Sequence, residues 1–232
     1  MSVQSIVVAA GVGARLGASV PKALVDVGGV PLLVLTLLRL RSVPELTALP
    51  PIVTIPEDHR IAFEQVLEAA GIEARLIAGG AERQDSVFLA VEAAAPDTEI
   101  TLIHDAARPF VPAASVQASI DAAREMGAAT VAIPVTDTIL EADAEGYLQG
   151  TPDRSRMWAC QTPQTFRHSV ILDAHYRARA EGYCGTDDAS LVRRYGGAVR
   201  LVMGHPFNIK ITRPEDLPMA QRILEDPSWH SA

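Results

Sequence analysis

The residues best equipped for chemistry are glycines and cations near the start of the chain. Ala9-Ala10-Gly11-Val12-Gly13-Ala14-Arg15-Leu16-Gly17 follows an apolar run and is followed by Pro21-Lys22. Gly11, Gly13 and Gly17 let the backbone approach a ligand closely and reach positive φ. A glycine-rich turn after a parallel strand aims its N–H groups outward, where they bind phosphate. The spacing G-x-G-x-x-x-G matches neither the dinucleotide fingerprint nor the phosphate loop that ends in G-K-[ST]. By itself it also suits a plain structural turn. Arg15 and Lys22 add two cations to the same loop, which is what a triphosphate requires.

Four other segments carry candidate groups. In Leu102-Ile103-His104-Asp105-Ala106-Ala107-Arg108-Pro109-Phe110, Asp105 stands at the carboxyl end of an expected strand, where ligands bind in open α/β sheets. It suits Mg²⁺ or a ribose hydroxyl, and Arg108 could grip a phosphate. An Asp–Arg pair closing a loop fits the same residues. Gly79-Gly80 ahead of a helix exposes backbone polar groups, and Ser86 can hydrogen-bond a base edge, although a simple helix start fits as well. Asn208, Lys210 and Thr212 would share one face of a strand over 207–211. Lys210 then reads as a ligand contact, and Thr212 as the cap of a helix with Glu215 and Pro214 in its first turn. Thr186, before Asp187 and Asp188, reads equally as an N-cap or a substrate contact. His104 and His205 read as structural.

These groups must be positioned by an alternation of strands and helices. Strands are expected at 5–9, 52–55, 74–78, 100–104, 129–133 and 198–203, where apolar, often β-branched runs end at Gly or Pro. Helical periodicity appears at 31–40, 60–70, 82–94, 113–126, 168–180, 187–195 and 214–225. Strands separated by helices predict parallel βαβ units with right-handed crossovers. Residues 137–160 break the pattern. Short strands at 138–142 and 147–150 around Asp143-Ala144-Glu145-Gly146 predict a hairpin too small to stand alone, so it should pack against something, such as a second subunit.

The chain has 232 residues, which suggests one full domain with a small appendage. Its 48% hydrophobic content supports a sizeable core, and a net charge of −8 argues against nucleic acid or a polybasic membrane anchor. A local cluster of Arg and Lys can still bind an anion. Two cysteines allow neither a disulfide framework nor a cysteine zinc site and fit the cytoplasm. The first residues lack the pattern of a signal peptide, and the most apolar window, residues 30–38, is too short to span a bilayer.

Taken together and in order, these motifs resemble the 2-C-methyl-D-erythritol 4-phosphate cytidylyltransferases over nearly the whole chain. The most specific segments are His104–Pro109, Pro134–Thr138, Asp153-Arg154, Thr162–Gln164, Thr186–Ser190 and Asn208–Asp216. The resemblance implies an α/β, Rossmann-like nucleotidyltransferase fold, a mostly parallel twisted sheet flanked by helices with a protruding β-hairpin arm at about 135–160. It implies a homodimer joined through that arm and a cytoplasmic enzyme using CTP, a sugar-alcohol phosphate and Mg²⁺. Arg15 and Lys22 would stabilise the transition state. Ala9, Ala10, Gly11, Gly13, Gly80, Ser86 and Asp105 would bind the nucleotide, with Asp105 also a metal ligand. Arg108, Thr138, Arg154, Thr186 and Lys210 would bind the acceptor, Thr138 and Arg154 reaching the partner's site. Ala23 replaces the Gln that commonly follows Pro-Lys, and Ala81 replaces an acidic residue some members carry. A ribitol 5-phosphate cytidylyltransferase is the alternative.

Overall fold

The computed structural model describes residues 2–11, 13 and 20–226. Strand β1 (Ser2–Val8) is an inner strand of a seven-stranded sheet. A two-residue ribbon, β2 (Asp26–Val27) with β3 (Val30–Pro31), leads into α1 (Leu32–Arg41). Then come β4 (Ile52–Ile55), α2 (Arg60–Ala69), β5 (Arg75–Ala78), α3 (Arg83–Glu92), β6 (Thr98–Asp105), α4 (Ala113–Met126) and β7 (Ala128–Pro134). The arm carries β8 (Glu141–Ala142) and β9 (Leu148–Gly150), and the chain continues through β10 (Trp158–Arg167), α5 (His168–Glu181), α6 (Asp188–Arg194), β11 (Arg200–Met203) and α7 (Asp216–Glu225).

Strand order in the large sheet is β11-β7-β10-β6-β1-β4-β5. Every pairing in it is parallel except those of β10, which runs antiparallel to both β6 and β7. Alternation along the strands sends side chains to opposite faces. Val3, Val7 and Leu102 join Leu33, Leu37, Phe63 and Ile120 in one core, while Ile6 and Ile103 join Val87, Phe166 and Ile171 in another. A third cluster seats α7, through Ala220 and Ile223, on Val27, Leu32, Phe110 and Ile211. Helix α4 ends where Gly127 takes φ 92°, a left-handed turn that a side chain would oppose.

Four expectations need correction. Residues 207–211 form no strand. They are an irregular segment held by Ile211 N–H donating to Ala107 O at 2.9 Å and by Arg108 Nη1 donating to Asn208 O at 2.7 Å. Thr212 does not cap α7 with Glu215 as its capping-box partner. Instead the Asp216 carboxylate accepts from Thr212 N, Thr212 Oγ1 and Arg213 N at 2.7, 3.1 and 2.9 Å, and Pro214 precedes the helix. The cap of α6 is Asp187 rather than Thr186: its side chain accepts from Ser190 N at 2.8 Å. The expected strand 138–142 shrinks to Glu141–Ala142.

Candidate functional site

The carboxyl ends of β1 and β6 lie side by side, with Val8 paired to Asp105. Each strand stops where its chain turns outward, and Ala106 N–H donates back to Val8 O at 3.1 Å. Between these ends and the start of α3 lies a cleft of about 320 Å³. Its lining includes Ala9, Ala10, Gly11, Gly13, Lys22, Gly80, Ser86, Asp105 and Lys210. The structure therefore brings together nine expected residues from four separate parts of the chain.

The cleft walls are fixed by close packing. A Cβ at Gly79 would fall 2.3 Å from Ala10 Cβ, and one at Gly13 would fall 2.4 Å from Lys22 Cβ. Ser86 is 2% exposed and its hydroxyl accepts from Gly80 N at 3.0 Å while donating to Glu82 O at 3.1 Å. It thus shapes the glycine turn. Lys22 opens a short 3₁₀ turn, Lys22–Leu24, behind Pro21.

Charge is concentrated at the far wall. Lys210 Nζ lies 2.7 Å from Asp105 Oδ2, and Arg83 Nε lies 3.4 Å from Asp105 Oδ1. Arg83 Nη1 also meets Asp188 Oδ2 at 2.8 Å. Burial alone would raise the Asp105 carboxyl, but the charges of Arg83 and Lys210 outweigh it and hold it well below the usual carboxylate range. Asp188, 1% exposed, is governed the same way: burial opposes its charge and Arg83 restores it.

His104 supports this wall from behind. It is fully buried, with Nε2 2.9 Å from Arg108 O and Nδ1 3.0 Å from Thr162 Oγ1. A carbonyl only accepts, so the proton belongs on Nε2 and the Thr162 hydroxyl donates to Nδ1. Thr162 Oγ1 in turn accepts from Asp105 N at 3.1 Å. Burial pushes the His104 ring down to about 4, so it stays neutral at pH 7, as a structural histidine should.

The remaining expected residues stand elsewhere. Arg108 turns into the protein and spends its guanidinium on Asn208 O at 2.7 Å and Cys160 O at 3.3 Å. Thr138 and Arg154 are exposed on the arm, where Arg154 Nη1 donates to Thr136 O at 2.8 Å. Thr186 is exposed ahead of α6. Arg15 lies outside the described residues.

Arg83 and Asp188 escaped the assignment of roles from sequence. A signal existed for Arg83. A cation at the first residue of a helix faces the positive end of the dipole, so it needs carboxylates from other elements to hold it there. Among the described residues, no group of three or more His, Cys, Asp or Glu side chains could hold a metal ion.

The chain matches a family model described as 2-C-methyl-D-erythritol 4-phosphate cytidylyltransferase over residues 3–226. It is 45% identical to the 2-C-methyl-D-erythritol 4-phosphate cytidylyltransferase of Geobacillus kaustophilus, covering 97% of each chain. It is 40% identical to the protein of that name from Pelotomaculum thermopropionicum, covering 96% of this chain and 94% of the relative. Among solved structures it resembles 4-diphosphocytidyl-2C-methyl-D-erythritol synthase from Anaerococcus prevotii, with a TM-score of 0.86 at 30% identity over 97% of this chain and 96% of the other. It also resembles the 2-C-methyl-D-erythritol 4-phosphate cytidylyltransferase of Thermus thermophilus, with a TM-score of 0.78 at 34% identity over 97% and 100% of the two chains. These names do not favour the ribitol phosphate alternative.

Proposed function

The chain belongs to the 2-C-methyl-D-erythritol 4-phosphate cytidylyltransferase family, and from that premise we propose how its cleft carries out the reaction. The enzyme is a nucleotidyltransferase of isoprenoid biosynthesis. CTP and 2-C-methyl-D-erythritol 4-phosphate give 4-diphosphocytidyl-2-C-methyl-D-erythritol and pyrophosphate. A phosphate oxygen of the acceptor attacks the α-phosphorus of CTP, and pyrophosphate leaves in line.

Such a transfer needs positioning and charge neutralisation more than covalent help. The two substrates bring about six negative charges, given a phosphate pKa₂ of roughly 6. Their repulsion is the main obstacle. Lys22 on the nucleotide loop, with Arg15, would stabilise charge developing at the α-phosphate. Ala9, Ala10, Gly11, Gly13, Gly80 and Ser86 would line the nucleotide subsite. Lys210 and Thr186 would take the acceptor, with Asp105 between the two subsites. Arg108 acts at one remove, by holding the Asn208 carbonyl and hence the segment that carries Lys210. The attacking phosphate is already ionised at pH 7, so no general base is required.

The donor set suits a metal ion carried in on the triphosphate better than one caged by protein. Mg²⁺ needs only one or two carboxylates when phosphates supply the rest, and Asp105 would be the protein donor. When bound, the ion neutralises triphosphate charge and makes the α-phosphorus a better electrophile.

The arm supports a homodimer. Leu140, Tyr147 and Leu148 are 60%, 72% and 62% exposed on a hairpin that cannot bury them. A second copy would cover them and receive Thr138 and Arg154. We take the whole chain as one nucleotidyltransferase domain with this arm. We take it as cytoplasmic too, in keeping with free Cys160 and Cys184. No helix among the described residues is long and apolar enough to cross a membrane.

The observation that carries this reading is the cleft itself: Lys22, Lys210 and Arg83 converge on one space at the carboxyl ends of β1 and β6. The test is pyrophosphate release from CTP with Mg²⁺ and either methylerythritol 4-phosphate or ribitol 5-phosphate. Release with the first acceptor is expected. Its absence, or a preference for ribitol phosphate, overturns the assignment.

A further inference from the structure

We propose that Arg83 is a positioning residue, a charged strut that sets the acceptor subsite by tying Asp105 to the Thr186–Asp188 loop through the buried Asp188. The inference rests on the cytidylyltransferase reading above and assigns a residue that reading leaves without a task.

Three elements meet at this guanidinium. Arg83 opens α3 directly after the Gly79-Gly80 turn, Asp105 ends β6, and Asp188 opens α6. Arg83 spans the two carboxylates, at 2.8 Å to Asp188 and 3.4 Å to Asp105. Its planar fork allows this, whereas a lysine would offer a point charge to one partner at a time.

The strut is anchored at its buried end. The Asp188 side chain is 2% exposed, against 30% for Arg83. The other side chain paired with it is His175, whose Nε2 stands 3.7 Å away, too far for a hydrogen bond. A buried carboxylate without Arg83 would carry a heavy desolvation cost, so Asp188 and Arg83 hold each other in place. The backbone around Asp188 is fixed independently: Gln164 Oε1 accepts from Asp188 N and Ala189 N at 3.0 and 3.1 Å. Gln164 is paired with Ile103 of β6, so the backbone spacing is set by the sheet, and what Arg83 adds is the link between the Asp105 and Asp188 side chains.

That link matters because Asp105 also holds Lys210 at 2.7 Å. Lys210 pairs with Asp105 at one end of the strut, Thr186 lies two residues before Asp188 at the other, and both are proposed to take the acceptor. With Arg83 in place, Asp105 shares its charge between two cations, and Lys210 can turn to an incoming phosphate without leaving a bare carboxylate. Without it, Lys210 is the one ion-pair partner left to Asp105 among the described residues and is held back from the acceptor, while the Thr186 loop loses its side-chain link to Asp105.

Asp188→Asn is the deciding variant. It keeps every cation of the cleft and removes one buried negative charge. If Arg83 merely attracts substrate anions, acceptor binding stays the same or tightens. If Arg83 is a strut, the acceptor KM and its calorimetric Kd rise about tenfold, the usual size for losing a charge-assisted hydrogen bond, while the CTP Kd stays within about threefold. Arg83→Gln should show a larger acceptor defect, and Arg83→Lys a partial rescue of it. Arg83→Gln/Asp188→Asn removes both charges of the pair and guards against misfolding of either single variant. It should fold and keep the acceptor defect, with effects that are not additive. A folded Asp188→Asn or double variant with wild-type acceptor affinity overturns the strut. Failure of the wild-type protein to release pyrophosphate would instead overturn the cytidylyltransferase reading.

Discussion

Gly79→Ala puts a single methyl group into the wall of the nucleotide cleft. Gly79 follows β5, and its N–H donates to Ile55 O at 2.8 Å, so its backbone cannot easily move away. The added Cβ would lie 2.3 Å from Ala10 Cβ and 2.9 Å from Ser86 Oγ. Ordinary contact begins near 3.4 Å, so Ala10 must retreat by 3.4 − 2.3, about 1 Å. Overpacking of this kind costs about 1–3 kcal/mol. For a chain of this size that is a fall in Tm of about 2–12 °C. The displacement also reaches function, because Ala10 lines the cleft and Ser86 sets the Gly80 turn. A misplacement of about 1 Å can cost ~10²-fold in turnover, so kcat/KM for CTP should fall by that order. Gly11→Ala is the stability control: nothing lies within 4 Å of its added Cβ, so Tm should stay within about 2 °C, as for ordinary surface changes. Thermal melts and initial rates on the two variants decide the matter. A Gly79→Ala protein with the wild-type Tm would show that the Gly79–Ala10 contact does not set the cleft wall.

Three further perturbations test separate parts of the reasoning. Lys22→Ala should lower kcat by ~10²–10³-fold, the usual loss for one group that stabilises transition-state charge; single-turnover rates near wild type would remove Lys22 from the chemistry. Arg154→Ala should weaken acceptor binding and leave CTP binding intact, as read by calorimetry with each ligand; equal loss of both would mean that the arm acts on folding. Asp216→Ala should cost about 1 kcal/mol at pH 7, discounted for the partial exposure of the carboxylate. Burial raises the Asp216 carboxyl, but hydrogen bonds from Thr212 and Arg213 hold it below its ordinary value. Its stabilisation is therefore full above the unfolded pKa of about 3.9 and fades as pH falls through the lower folded value. Urea melts of wild type and variant should converge as pH falls below the unfolded value, and a gap that does not narrow in acid would contradict the assignment.

Which parts of the molecule could be read from sequence follows from where each residue finds its partners. Strands β1, β4, β6 and β7 are legible because their β-branched apolar side chains are buried on both faces of a parallel sheet. Strand β10 is not. It holds Pro163 and the polar Gln161, Thr162, Gln164 and Thr165, all four buried. A proline ordinarily argues against a central strand. Here the ladder to β7 breaks between Cys160 and Gln164, and the polar side chains are satisfied by distant groups such as Asp188 N and Asn208 Nδ2. The 207–211 error has the mirror-image cause. Alternating Asn208, Ile209, Lys210 and Ile211 mimic a strand, but their hydrogen bonds run to Ala107 O and the Arg108 guanidinium. The glycines, Lys22, Asp105 and Lys210 were legible in the site, because each sits in a local motif. Arg83 was not, because its meaning lies in two carboxylates that are 22 and 105 residues away in the chain.

The same pairings explain how an acidic chain can be built to receive anions. A net charge of −8 would repel both substrates at long range, yet salt confines that repulsion to roughly 8 Å at physiological strength. Inside the cleft the balance is local. Asp105 and Asp188 are each matched by Arg83 or Lys210, so this wall is close to neutral before ligands arrive. A wall of unpaired cations would bind every phosphate strongly, pyrophosphate included, and product release would suffer. If Lys210 takes the acceptor as proposed, it exchanges a carboxylate for a phosphate, and only the difference between those two partners appears as binding energy. An acceptor that also satisfies its polyol hydroxyls gains over bare phosphate or pyrophosphate, which have nothing else to offer. On the proposed assignment, selectivity at the far wall would come from this exchange, and acceleration from the nucleotide loop, where Lys22 would meet charge that appears only in the transition state.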